Sequence, residues 1–149
     1  MCSYCGCESI GIIGTFMAEH VELVNATTAL RLASTHHDLI AAAPAAARLA
    51  ALLTPHAHRE EVGLFRVLSR QDEFAGEIAA LCAEHVTLDA LLARIIDGDL
   101  TAAEPLIDAL RDHIHREENG LFPASAIALS GSDWDEVDAT TPPPGPTHG

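Results

Sequence analysis

Four stretches of the chain carry apolar residues at steps of three and four, the spacing of one face of an α-helix. Phe16, His20, Leu23, Thr27 and Leu30 form the first stripe; Leu49, Leu52, Leu53, His56, Glu60, Leu64 and Val67 form the second. Ile78, Leu81, His85, Leu88, Leu92 and Ile95 form the third; Leu106, Leu110, His113, Glu117 and Leu121 form the fourth. Pro44 and Pro105 are expected near the starts of the second and fourth helices, where a missing N–H costs little. Pro55, one residue before His56, is expected to kink the second helix. Asp97-Gly98-Asp99 breaks the chain between the third and fourth helices. His36, His37 and an alanine run make a looser first connection. Short connections place successive helices antiparallel, so the expected fold is all-α, an antiparallel up-down-up-down four-helix bundle.

The stripes come in two copies. Ala18-Glu19-His20-Val21-Glu22-Leu23 returns as Ala83-Glu84-His85-Val86-Thr87-Leu88. His56-Ala57-His58-Arg59-Glu60-Glu61-Val62-Gly63-Leu64-Phe65 returns as His113-Ile114-His115-Arg116-Glu117-Glu118-Asn119-Gly120-Leu121-Phe122. The bundle therefore reads as a duplicated helical hairpin, one half near residues 10–70 and the other near 73–130.

Composition agrees with helices, being rich in alanine and leucine and poor in aromatics. At 149 residues the chain is expected to hold one domain. Its expected parts are a Cys-rich segment at 1–9, the bundle at 10–130 and an irregular Pro-rich tail at 131–149. The net charge is −14 and all eight basic residues are arginine. Such a chain is repelled by nucleic acid and by anionic membranes, so neither is an expected partner. No stretch reads as the ~18–20 apolar residues of a membrane span. No basic residue precedes Arg31, so no secretion signal is read. The expectation is a soluble, cytoplasmic protein. Cys2, Cys5 and Cys7 crowd the N-terminus without the second matched pair of a zinc or iron–sulfur site, and read as an oxidisable tail. Cys82 reads as a small apolar helix residue.

The repeated polar residues change the picture most. His20, His56, His85 and His113, with Glu60 and Glu117, all fall on the apolar stripes at matched places in the repeat. His-x3-Glu puts both groups on one helix face, one turn and ~6 Å apart. Burying six ionisable groups is costly unless something compensates them, and bound cations do so. Imidazole with carboxylate suits zinc, iron, copper or manganese. A closed structural zinc site takes four ligands. Four nitrogens and two carboxylates able to bridge suggest two ions, one leaning on each half, with iron preferred over zinc or manganese. No glutamate has a histidine three residues later, which disfavours the Glu-x-x-His di-iron bundles.

His-x3-Glu on two helices, with single histidines on the other two, resembles the hemerythrin-like (HHE cation-binding) family over roughly residues 10–130. The H-x3-EE-x2-LF segments are the most specific feature. The resemblance implies a non-haem di-iron centre, oxo- or hydroxo-bridged, that meets O2, peroxide or nitric oxide. It assigns His20, His56, Glu60, His85, His113 and Glu117 as ligands. Oxygen carriers of the family space the last carboxylate as His-x4, which would select Glu118; the internal repeat favours Glu117. Those carriers also place a second histidine one turn along the third helix, where this chain has Asp89. Asp89, water or Tyr4 is the expected replacement. Glu61 and Glu118 lie about 140° around the helix from His56 and His113, as groups that orient ligands or are solvated. His58 and His115 lie about 200° away, as outer-face groups or groups behind the ligands.

An oxygen-richer site favours ferric iron. The first expectation is therefore a protective enzyme that decomposes hydrogen peroxide or uses it to oxidise nitric oxide. The alternatives are an O2- or nitric oxide-binding carrier or sensor without turnover, and an iron-binding protein.

Overall fold

The computed structural model describes residues 10–144. Among these residues there are five helices and no strands: α1 (Gly11–Thr35), α2 (Leu39–Glu60, running on through Glu61–Phe65 and Arg66–Leu68), α3 (Asp72–Ile96), α4 (Ala103–Arg116, running on through Glu117–Leu121 and Phe122–Ala128) and α5 (Gly131–Thr140). Contacts run from α1 to α2, α2 to α3, α3 to α4 and α4 back to α1. That closed ring is consistent with a four-helix bundle. Both α2 and α4 contain one wide π turn, Glu61–Phe65 and Glu117–Leu121, at matched places in the repeat. Such turns insert an extra residue and re-aim the side chains around them.

Several sequence expectations need correction. The first connection is not loose: it is only His36 to Asp38, and the alanine run lies inside α2. Asp38 caps α2 by accepting from the Ala41 N–H at 3.0 Å. The helix thus begins five residues before Pro44, which sits in its interior, and it continues through Pro55. A strong cap outweighed the proline as the start signal. His37 takes a left-handed φ of 50° where α1 ends, as Gly98 does at 102° after α3. The segment from 131 to 140 is helical rather than irregular. Ser130 and Asp133 form a capping box at its start, and Val137 is fully buried. By length and mean hydropathy the whole of α2, Leu39–Leu68, is apolar enough to cross a membrane, which sequence reading passed over. Its buried face carries His56, Arg59 and Glu60 among the other helices.

The core is split into two apolar layers. One gathers Leu23, Leu30, Leu49, Leu53, Leu88 and Leu106. The other gathers Phe16, Leu64, Phe65, Leu81, Phe122 and Val137, so α5 closes it. The buried polar side chains are mainly the repeated histidines and glutamates.

Candidate metal centre

His20 comes from α1, His56 and Glu60 from α2, His85 from α3, and His113 and Glu117 from α4. All six are at least 96 % buried. They form two quartets: His20, His56, Glu60 and Glu117, and Glu60, His85, His113 and Glu117. Within each quartet the ligand atoms all lie within 4.8 Å of one another. Both glutamates belong to both quartets, while each histidine pair belongs to one half of the repeat.

Each Nε2 lies close to a carboxylate oxygen of Glu60 or Glu117. His20 is 3.0 Å from Glu117, and His85 is 3.2 Å from Glu60. His56 is 3.4 Å from Glu60 and His113 3.5 Å from Glu117. The Nε2 atoms of His85 and His113 are 3.1 Å apart. Nε2 of His20 and His56 and all four oxygens of Glu60 and Glu117 nevertheless have no hydrogen-bond partner. Buried polar atoms without partners are rare and point to a missing ligand. Two donors each about 2.1 Å from one ion would lie about 3.0 Å apart at a right angle and about 3.4 Å apart in a tetrahedron. The observed spacings match that range, so the six residues fit a cation pair.

The opposite ring nitrogens are all satisfied by carboxylates. Glu19 lies 2.7 Å from Nδ1 of His56, and Glu84 lies 2.7 Å from Nδ1 of His113. Glu118 lies 2.8 Å from Nδ1 of His20, and Glu61 lies 3.1 Å from Nδ1 of His85. An ionised carboxylate only accepts, so each Nδ1–H donates, which in the neutral imidazole a metal requires leaves the Nε2 lone pair facing the centre. Arg59 is ion-paired to Glu19, and Arg116 to Glu84. Phe65 stacks on His85 and Phe122 on His20, each with centroids 5.9 Å apart. The Leu-Phe end of each repeated segment thus presses one histidine ring, His85 or His20, from the neighbouring helix.

Without metal these contacts hold protons in the centre. Burial pulls His56 down, but the charge on Glu60 and contacts with Glu19 and Glu60 outweigh it and carry it up to about 10. Burial likewise pulls His113 down, and Glu117 first, then Glu60 and Glu84, carry it up to about 9. His20 and His85 are raised for the same reasons. Glu60 is pushed up by burial but held well below the usual carboxylate range by His56 and His85.

The remaining candidates fall elsewhere. Asp89 is exposed and does not supply the expected oxygen donor: the buried stripe of α3 steps from His85 to Leu88, one residue short of it. His58 and His115 are exposed on the outer faces of α2 and α4, so of the two readings only the outer-face one fits. His115 faces Asn119 instead, at 3.1 Å. Tyr4, Cys2, Cys5 and Cys7 lie outside the described residues. Cys82 is half-buried; burial, then Glu61, pushes its thiol up to about 11. Sequence reading missed Glu19 and Glu84. Their signal was present, since each directly precedes a repeated histidine. A cleft of about 200 Å³ between α1 and α4, lined by Val21, Val24, Asn25 and Ile114, reaches His20 and Glu118.

A helical ring that buries four imidazoles and two shared carboxylates, each imidazole backed by a further carboxylate, defines a cation-binding centre of the histidine–carboxylate type. A family model for the hemerythrin HHE cation-binding domain matches residues 11–125. The chain belongs to that family. No curated protein and no solved structure matched it.

Proposed function

We propose that the centre holds two iron ions and that the protein is a di-iron oxidoreductase acting on hydrogen peroxide, either decomposing it or using it to oxidise nitric oxide. The bundle around it is taken as the antiparallel duplicated hairpin. The observation that carries the reading is the pair of quartets sharing Glu60 and Glu117, in which Nε2 of His20 and His56 and all four carboxylate oxygens lack hydrogen-bond partners. His20 and His56 would hold one ion and His85 and His113 the other, with the two glutamates bridging. The iron pair would supply Lewis acidity and redox chemistry.

Peroxide turnover is favoured over reversible carriage by the ring of outer carboxylates. Glu19, Glu61, Glu84 and Glu118 each accept a hydrogen bond from the Nδ1–H of a proposed ligand, which makes the imidazole a stronger donor and favours ferric iron. Glu118 also touches the cleft while bonded to His20, so it stands where a proton can pass between the centre and solvent. Glu61, with its side chain 41 % exposed, has the same relation to His85. A second reading, binding of O2 or nitric oxide without turnover, is favoured by the apolar mouth that Val21, Val24 and Ile114 give the cleft.

The deciding experiment is metal analysis with an optical spectrum, then addition of hydrogen peroxide to the same sample. About two irons per chain and brisk O2 evolution are expected. Two irons with no peroxide consumption would favour the gas-binding reading, and zinc alone would overturn both.

A further inference from the structure

A second groove of about 120 Å³ lies along the α1–α4 seam, adjoining the cleft over His20 through Val24 and Asn25. Arg31 of α1 and Arg111 of α4 both line it. Their presence there is unusual for this chain, which carries a net charge of −14 and only eight cationic side chains. Arg59, Arg66, Arg70, Arg94 and Arg116 are all ion-paired with glutamate or aspartate. Among the described residues Arg31, Arg48 and Arg111 make no ion pair, and two of these three meet at one groove. Like charges brought together without a counter-ion repel, and no acidic residue lines the groove to neutralise them. The pair is therefore suited to an anion supplied from outside.

The other lining residues narrow the anion. Guanidinium groups bind carboxylates through paired N–H donors, and Asn25 and Thr28 add polar groups beside them. Val24, Ile107 and Leu110 give the groove an apolar wall that a purely inorganic ion would leave unused. We propose that the groove binds a small organic acid, its carboxylate held by Arg31 and Arg111 and its short hydrocarbon body against Val24, Ile107 and Leu110. The site is separate from the metal ligands and does not depend on which ion they hold, but its occupant would lie beside the cleft that reaches His20.

The test is a titration of the full chain, in the metal state in which it purifies, with sodium butyrate at constant low ionic strength. Arginine Nε–H resonances and calorimetry report binding. Arg31 and Arg111 should shift while Arg48 does not. Arg31→Gln and Arg111→Gln should each weaken binding about tenfold, and Arg48→Gln should leave it unchanged. Arg31→Lys, which keeps the charge and loses the fork, should fall between. Equal shifts with sodium chloride would overturn the proposal, as would binding of inorganic phosphate without butyrate. Butyrate binding that survives both glutamine variants would mean that the carboxylate sits elsewhere and overturn it too.

Discussion

The Nδ1–H of His56 donates to Glu19 across 2.7 Å, and Glu19 directly precedes His20, a member of the same quartet. Glu84 repeats the contact with His113 at the same distance. Each half of the repeat thus places one ligand and, beside it, the carboxylate that fixes the tautomer of the next. Glu19→Gln keeps the shape and removes the charge. Metal affinity should fall about 10- to 100-fold while two ions still bind at saturation. Competition against a chelator measures this, with the exposed Glu104→Gln as control. Unchanged affinity would mean that Glu19 serves only its ion pair with Arg59.

Glu60 and Glu117 belong to both quartets, so on the proposed two-ion reading the loss of either would affect both ions. Glu60→Ala or Glu117→Ala should lower the metal content by at least one ion per chain. His58→Ala should retain both, because His58 is exposed on the outer face of α2. Metal analysis after dialysis decides between them. Loss of metal on His58→Ala with retention on His56→Ala would shift the ligand register by two residues.

The six inward groups were legible because each is fixed by the periodicity of its own helix and doubled by the repeat. Glu19 and Glu84 were not, because their role depends on which residues of a neighbouring helix they meet. That is set by helix packing, which one stripe does not encode. Asp89 was misplaced for a related reason: four residues beyond His85 remains near the same face on a helical wheel, yet the buried line passes through Leu88. The helix after Ser130 was hidden by its polar composition, although Ser130-x-x-Asp133 is a start signal and Trp134 and Val137 are three apart. The wide turns after Glu60 and Arg116 have no evident sequence mark beyond the paired glutamates.

The raised histidines give the metal-free protein a defined pH response. A group whose folded pKa lies above its unfolded value stabilises fully below the unfolded value, here 6.5, and loses that contribution as pH rises through the folded value. For His113 and His56 the folded values are about 9 and about 10. Stability of the metal-stripped chain should therefore decline between about pH 6.5 and about pH 10. Glu60, depressed when folded, contributes above its unfolded value of 4.5 and loses this as pH falls. Metal must displace the same protons, so its affinity should rise over the interval in which apo stability falls. Denaturant melts of stripped and loaded protein from pH 5 to 10 test both. A flat stripped profile above pH 6.5 would show that the protons are not held.

Gly63 sits in the wide turn of α2 directly beneath Thr141, and a Cβ there would overlap the Thr141 hydroxyl. Its repeat partner, Gly120, faces open space. The difference arises because α5 covers one half of the repeat, where Glu136 meets Arg66 and Arg70 and the Pro142 carbonyl accepts from Arg59 at 2.9 Å. Gly63→Ala should destabilise by about 1–3 kcal/mol by displacing the end of α5. Gly120→Ala should stabilise by about 0.5–1 kcal/mol, as alanine does in an unobstructed helix. Trp134 is the only tryptophan and packs into the apolar layer that α5 closes, so its fluorescence reports docking directly. A red shift in Gly63→Ala and none in Gly120→Ala is the expected pair. Equal behaviour of the two variants would mean that α5 does not rest on this turn.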